Sequence, residues 1–426
     1  MRTAARIQST IELLHEIISI TTTPANDICH TYFDKRRFIG SGDRRFIADM
    51  TYQIIRYYPK LQWFWPNLDA RQAVLTYLAI KAKATPKQIE ELFTGDRFDP
   101  APLTNEEKAH LKKLPSLTDL PKWAELSVPE WLFPYFEKSL GHHVYNELFM
   151  LEQQAPMDIR VNTLKKTREE ALKLLNKEDL GAKPTTFSPV GIRLEKRMPL
   201  QKLSLWKDGT LEIQDEGSQL IALLCNAKPG MAILDYCAGA GGKSLVLAET
   251  MQNKGRLVLS DIHSWRLKRA KERLKRAGVH NHEVRLISEK EWFKRQEFRF
   301  DCVLVDAPCS GTGTWRRNPD MKIRFKPQDL NELINKQQEI LNAASKLVKS
   351  GGFLIYSTCS LLREENHEQI DNFLNQNTSF TLMPIQEVWN HSIIDSPCPT
   401  TENMLQLTSS AHQTDGFFVA VLKRVH

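Results

Sequence analysis

Two stretches of the chain end an apolar run with a cysteine followed by a serine. They are "DAPCSGTG" (306–313), which carries Cys309, and "YSTCSLL" (356–362), which carries Cys359. Taken singly, either thiol reads as a small buried hydrophobe. Taken together, with Asp306 three residues before Cys309, they form a set that can do chemistry. Methylation of a pyrimidine at carbon 5 needs such a set, because carbon 5 of cytosine is too poor a nucleophile to attack a sulfonium methyl directly. A thiolate adding at carbon 6 makes the ring enamine-like, so that carbon 5 can take the methyl. A carboxylic group near ring N3 would stabilise the charge that builds there, and a base must then remove the carbon-5 proton. Two thiols can divide that labour. Cys225 and Cys302 sit inside apolar runs and read as core.

The elements that would position these groups begin near residue 214. The segments "MAILDYC", "GRLVLSD", "HEVRLIS", "FDCVLVDAP" and "GGFLIYSTC" read as strands, separated by helical segments such as "RLKRAKERLKRAG" and "LINKQQEILNAASKLVK". This alternation of mostly apolar strands with helices predicts a doubly wound, Rossmann-like α/β domain over 214–426, with a parallel sheet covered on both faces. "DGFFVAVLKRV" supplies a last strand. In such a sheet ligands bind beyond the carboxyl ends of the strands, which aims both thiols at one cleft.

"LDYCAGAGGKS" (234–244) puts a glycine-rich turn, with Gly239, Gly241 and Gly242, between the first of these strands and a helix. A phosphate-cradling NTPase loop needs glycine where this chain has Cys237, and the dinucleotide fingerprint needs a spacing that Gly239-Ala240-Gly241-Gly242 breaks. An adenosyl ligand tolerates the looser pattern. Asp261 ends the next strand about 20 residues on, where an acid can hold ribose hydroxyls or simply cap a helix.

Upstream, residues 1–125 read as all-helical. "IQSTIELLHEII" sets Ile7, Ile11, Leu14 and Ile18 on one face, "SGDRRFIADMTYQIIRYY" and "ARQAVLTYLAIKA" follow, and Pro86 fits the first turn of a further helix. Pro100, Pro102, Pro115 and Pro121 mark irregular connecting chain. Residues 126–213 read as a small α+β module. It contains "VPEWLFPYFEKSLG" as a helix closing on Gly141, "DIRVNT" and "GIRLEK" as strands, and a helix capped by Thr167.

Composition bounds the rest. The chain has 426 residues, 41% of them hydrophobic, and 58 Lys+Arg against 51 Asp+Glu give a formal charge of +7, too mild alone to argue for a polyanion. Seven scattered cysteines with no C-x-x-C pair argue against a disulfide framework and against zinc, and fit a reducing cytoplasm. No run approaches the length that spans a bilayer, so no membrane partner is expected. "RLKRAKERLKR" (266–276), with seven basic residues and one acid, suits either a solvated face or a phosphate backbone. In "WRRNPDMKIRFK" (315–326), expected to border a nucleic-acid cleft, Trp315 suits either base stacking or packing. "DKRRFIGSGDRR" (34–45) offers a further basic surface.

"QDEGSQL" (214–220), the glycine loop, "SDIH" (260–263), "DAPCSGTG", "RRNPD" (316–320), "YSTCSLLREEN" (356–366) and "TDGFF" (414–418) together resemble, in order, the motifs of the Sun/NOP family of S-adenosylmethionine-dependent RNA (cytosine-5) methyltransferases. "DIRVNTLKKTREEAL" resembles the family's RNA-binding module, and "GDRRFIADMTYQIIR" the NusB-like domain of its bacterial 16S rRNA members. The resemblance implies Cys359 as nucleophile, Cys309 as the group that resolves the adduct, Asp306 at the base and near the methyl donor, and Lys243 in the catalytic cleft. It implies S-adenosyl-L-methionine on Cys237, Ala238, Gly239, Ala240, Gly241, Gly242, Lys243, Asp261, Ser288 and Asp306. Where the family usually has an adenine-contacting Asp, this chain has Ser288 followed by Glu289, and the usual loop proline is absent. The expected partner is RNA rather than DNA, small-subunit ribosomal RNA first and transfer RNA second, and the expected state is a monomer. A lapsed enzyme kept as an RNA-binding assembly factor is the reading from another class.

Overall fold

Capping side chains mark where several N-terminal helices begin. In the computed structural model, which describes residues 1–65, 67–114, 119–196 and 198–426, Asp69, Thr85 and Thr104 each accept a backbone N–H three residues on. The Gln72, Gln88 and Glu107 side chains return the bond in each case. Pro115 lies outside the described residues. The chain divides into two compact units, Met1–Gln154 with Thr314–Pro327, and Ala155–Gly313 with Gln328–His426.

The first unit is helical. Thr3–Ser19, Ser41–Gln62 and Ala70–Ile80 pack through Ile7, Leu14, Ile47, Ile54 and Leu75. Ala25–Lys35 is a helix whose start carries no capping side chain, since Pro24 stands at its N-cap, and Ala25, Ile28, Cys29, Tyr32 and Phe33 form its buried face. Phe133–Leu140 closes on Gly141 at φ 52°, as its glycine predicts.

The segment 314–327 is built into this unit rather than lying on its surface. Asp320 accepts from the Ala25 N–H at 3.1 Å, and Lys322 donates to the Arg56 and Ser127 carbonyls at 3.2 and 2.9 Å. Trp315 is fully buried edge-on to Phe136, so packing explains it and base stacking does not. The expectation that this run borders a nucleic-acid cleft fails for Trp315, Arg316, Asp320 and Lys322, all of which are buried.

The second unit holds two sheets. Strands β1 (Met157–Val161), β2 (Ala182–Pro184), β3 (Gly191–Leu194) and β4 (Leu211–Ile213) form an antiparallel sheet in the order β2-β3-β1-β4. Helix Arg168–Lys177, capped by Thr167, covers it with Ala171 and Leu175. The second sheet comprises β5 (Ala232–Asp235), β6 (Arg256–Asp261), β7 (His282–Leu286), β8 (Phe300–Asp306), β9 (Val348–Thr358), β10 (Phe380–Leu382), β11 (Leu405–Leu407) and β12 (Phe417–Arg424). Its order is β10-β12-β9-β8-β5-β6-β7, with β11 beside β12. The five strands from β7 to β9 are parallel, while β12 runs antiparallel to β9 and makes the sheet mixed rather than wholly parallel.

Strand alternation separates two cores. Ile233, Leu257, Leu259, Cys302, Leu304 and Ile355 face one side, and Leu234, Val258, Val303, Val305, Leu354 and Tyr356 the other. Cys225 and Cys302 are core, as read. Chain order reverses at β5, between β6 and β8, which opens the crevice where ligands bind in open α/β sheets. Among the described residues no helix is long and apolar enough to cross a membrane.

A buried ion pair links the first sheet to the helix Gly242–Thr250 that follows β5. Arg160, on β1, is fully buried and donates to both carboxylate oxygens of Glu249 at the end of helix Gly242–Thr250, and to Gln214 at 2.8 Å. Burial pushes the Glu249 carboxyl up, and Arg160 opposes that shift. Arg160→Met should therefore lower the stability of this unit by about 3–5 kcal/mol, since it strands a buried carboxylate. Urea unfolding followed by the fluorescence of this unit's tryptophans checks this, and an unchanged midpoint would refute it.

Candidate active site

Three carboxylates and two thiols meet at the carboxyl ends of β5, β6, β8 and β9. The turn after β5 is set by glycine geometry. Gly239 and Gly241 take φ 54° and 76°, conformations that side chains disfavour, and the turn closes with Gly241 N–H on the Ala238 carbonyl at 2.8 Å. A methyl on Gly241 would also come 3.1 Å from Ala270. Helix Gly242–Thr250 follows at once, so its first N–H groups face the crevice.

Asp261 reads this turn from β6. Its Oδ2 accepts the Gly239 N–H at 3.0 Å and its Oδ1 the His263 N–H at 2.8 Å, which leaves further lone pairs for a ligand. Asp261 thus ties the loop to the strand as well as facing the cavity, a double task that sequence spacing cannot separate.

Cys237, Ala238, Gly239, Ala240, Gly242, Lys243, Asp261 and Asp306 all line one cavity of about 610 Å³. Two of the anticipated cofactor residues stand apart from its wall. Gly241 is buried and shapes the turn from behind. Ser288 is exposed, and Ile287 lines the cavity instead, because successive residues leaving β7 point to opposite sides. Glu289 likewise is not among the residues that line the cavity. Its carboxylate accepts the Leu286 N–H at 2.8 Å and pairs with Arg285.

Asp235 was not singled out in the sequence, although it ends β5 immediately before the glycine turn. It is buried, its Oδ2 accepts from Ser244 at 2.6 Å, and its Oδ1 has no hydrogen-bond partner among the described residues. Burial pushes its carboxyl up to about 7, against the Ser244 hydrogen bond. A carboxyl ending a strand before a glycine loop is the signal that marks it. Lys336 and Glu339, on helix Pro327–Ser345, also line the cavity, and nothing in an amphipathic covering helix distinguishes them in sequence.

Lys243 and Asp306 form a short ion pair, Nζ to Oδ2 2.6 Å, at the mouth between cavity and thiols. Ser357 donates to the other Asp306 oxygen at 3.2 Å. Burial alone would push Lys243 down, but the Asp306 and Asp235 carboxylates outweigh it and hold the ammonium above its usual range. Beyond Asp306, the Cys309 and Cys359 sulfurs stand 3.4 Å apart. The hydrogen bond with Cys359, then burial, push the Cys309 thiol well above the usual range, so Cys309 carries a proton at neutral pH. The arrangement therefore supplies a protonated thiol beside a second thiol, with an ammonium–carboxylate pair between them and an adenosyl-sized cavity. The basic run of helix Ser264–Ala277 is divided. Arg273 and Arg276 pair with Glu212 and Arg273 holds the Ala240 carbonyl, whereas Lys268, Arg269, Lys271 and Lys275 are exposed.

Residues 222–423 match the family described as 16S rRNA methyltransferase RsmB/F, and residues 128–201 the ferredoxin-like domain of RsmF/B-like methyltransferases. A probable ribosomal RNA small subunit methyltransferase B from Synechocystis is 34% identical over 310 residues, 70% of this chain and 67% of that protein. One from Bacillus subtilis is 32% identical over 70% of this chain and 67% of its own length, and one from Coxiella burnetii 35% identical over 60% of each. The matched stretches thus span 60–67% of these relatives. The crystal structure of PH0851 superposes with a TM-score of 0.79 at 25% identity, covering 100% of this chain and 99% of that one. A methyltransferase homolog from Pyrococcus horikoshii gives 0.61 at 27% identity, covering 73% of this chain and 99% of that one. With its thiol pair and glycine turn inside the matched stretch 222–423 and three strands of its antiparallel module inside 128–201, this chain belongs to the 16S rRNA methyltransferase RsmB/F family.

Proposed function

We propose that this protein methylates carbon 5 of a cytosine in RNA, with 16S ribosomal RNA as substrate, through a covalent adduct on Cys359. The observation that carries the reading is the thiol pair, 3.4 Å apart, with Asp306 three residues before Cys309 in the wall of the cavity. The curated relatives are named for the small ribosomal subunit, which favours ribosomal over transfer RNA. A lapsed enzyme would have no reason to keep Cys309, Cys359, Asp306 and Lys243 as one cluster. The same reading puts the enzyme in the cytoplasm as a monomer.

The residues present fit S-adenosyl-L-methionine. The cavity is large enough, its floor is glycine backbone beside a helix N-terminus, and the unpartnered Asp235 oxygen suits a cationic group. Asp261 would hold the ribose, Asp235 the positively charged end, and Cys237 to Lys243 the remaining wall. Bound there, S-adenosyl-L-methionine supplies an electrophilic methyl group.

The protein's own groups do the rest. The Cys359 thiolate bonds to carbon 6, and the ring takes up the electron pair. Lys243, fixed on Asp306, supplies the positive charge that lets this carboxyl group meet the charge accumulating at N3. Once the Cys359 sulfur is bonded to carbon, the hydrogen bond and charge that held the Cys309 proton are gone, so Cys309 gives that proton up to water more easily and becomes a thiolate. It then takes the carbon-5 proton, those electrons restore the ring double bond, and the Cys359 thiolate leaves. The exposed Arg37, Phe38 and Arg45 of the helical unit offer phosphate and stacking contacts to RNA, and the exposed Lys268, Arg269 and Lys271 offer phosphate contacts on the other unit by itself. We assign the helical unit to the NusB-like, RNA-binding type on the same grounds.

Cys359→Ala should cut methyl transfer by about 10³-fold or more, while Cys309→Ala should methylate once and remain bonded to RNA. Denaturing gels of each variant expressed in cells, with sequencing of attached RNA, read both outcomes. An adduct in Cys359→Ala instead would exchange the two roles. Because Asp235 titrates near 7 and only its ionised form attracts a cation, S-adenosyl-L-methionine affinity should rise about tenfold from pH 6 to pH 8. Calorimetry should find that rise absent in Asp235→Asn, and a flat wild-type profile would remove Asp235 from the site.

A further inference from the structure

Glu365 is fully buried, and among the described residues no cation pairs with it. A carboxylate in that position is costly unless donors surround it. Four donors do. Oε1 accepts the Ser310 N–H at 2.8 Å and the Gln337 side-chain N–H at 3.0 Å, and Oε2 accepts the hydroxyls of Ser310, at 2.5 Å, and Ser360. Ser310 and Ser360 are the residues that follow Cys309 and Cys359. One carboxylate therefore grips both thiol loops at the position next to each sulfur.

The surrounding bonds make this grip the centre of a small frame. The Ser310 and Ser360 hydroxyls are 3.2 Å apart, and Gln337 also donates to the Pro308 carbonyl at 2.9 Å. Thr312 accepts the Leu361 N–H at 2.9 Å, and Gly313 donates to the Cys359 carbonyl at 2.9 Å. The next residue, Asn366, takes the Thr358 hydroxyl at 2.6 Å and donates to the Ser360 carbonyl at 2.9 Å. Without Glu365, the two hydroxyls and the Ser310 N–H would lose the one acceptor they share.

We propose that Glu365 is a positioning residue that sets the distance between the Cys309 and Cys359 sulfurs, a role that rests on the two-cysteine mechanism proposed above. Charge-assisted bonds are shorter and more directional than neutral ones. Replacing the carboxylate by an amide puts an N–H group where the serine hydroxyls donate, lengthens those contacts towards ordinary neutral values, and lets the loops drift apart.

The test reads the thiol distance directly. Diamide accepts two electrons and two protons as the two thiols join in a disulfide, and the rate of that closure in the RNA-free protein depends on how the sulfurs are held. Glu365→Gln should slow closure, and should lower kcat, each by about tenfold or more, with S-adenosyl-L-methionine affinity and circular dichroism unchanged. Closure and kcat within twofold of wild type would overturn the proposal. So would a loss of kcat matched by a loss of cofactor affinity with closure unchanged, since that pattern describes a general structural role. Should Glu365→Gln fail to fold, Ser360→Ala removes a single donor, and closure slowed about threefold supports the proposal while unchanged closure refutes it. If Cys359→Ala retains turnover, the nucleophile assignment falls, yet the closure rate still decides whether Glu365 sets the distance.

Discussion

The pairing of β8 with β9 is the constraint on which the rest of this molecule depends. The two strands run parallel with Asp306 opposite Ser357, and both chains leave the sheet within a few residues of that pair. A parallel register fixes where each strand ends relative to its neighbour. Cys309 and Cys359 consequently arrive side by side although 50 residues separate them, and Ser357 can hold the Asp306 carboxylate. A slip of one residue between the two strands would send Asp306 and Ser357 to opposite faces. The extensive two-sided burial of β8 and β9, with Val303, Val305, Leu354 and Tyr356 on one face and Cys302, Leu304 and Ile355 on the other, forbids that slip.

Burial of charge is the second theme of the catalytic unit. Asp235, Lys243, Glu249 and Glu365 are all shielded from water, and each meets the cost differently. Glu249 has Arg160, Lys243 has Asp306, and Glu365 has four neutral donors. Asp235 keeps an oxygen without a hydrogen-bond partner among the described residues, in the wall of the cavity. An unpartnered carboxylate oxygen in a cavity wall is unsatisfied polarity that a ligand can relieve.

Much of this was legible in the chain itself. Alternating apolar strands and helices gave the α/β class, the ordered motifs gave the family, and Thr167, Gly141 and Pro86 marked helix ends where the structure has them. What escaped was set by long-range contact rather than local pattern. The strands Ala182–Pro184 and Leu211–Ile213 are three residues each and exist because they pair with β3 and β1. Trp315 and Lys322 sit in a run that reads as basic and exposed, yet Asp320, Lys322 and Trp315 find their partners among residues 25–136 of the helical unit. Ser288 looked like a ligand contact only by its place in a motif, and the turn after β7 directs Ile287 to the cavity instead.

Glu365 shows why such misses matter for function. In sequence it is the second acid of "REEN", a surface-like string after the cysteine motif, and helical or strand periodicity says nothing about it. Its role follows only when the loops of β8 and β9 are folded against each other and the serines after each thiol turn towards one point. The serine in "PCS" and the serine in "TCS" then have a common physical reason, because both are donors to the same buried carboxylate. A thiol pair needs a fixed separation to pass a proton from carbon to sulfur. Neither cysteine can provide that separation alone, so part of the catalytic geometry resides in residues that never touch the base.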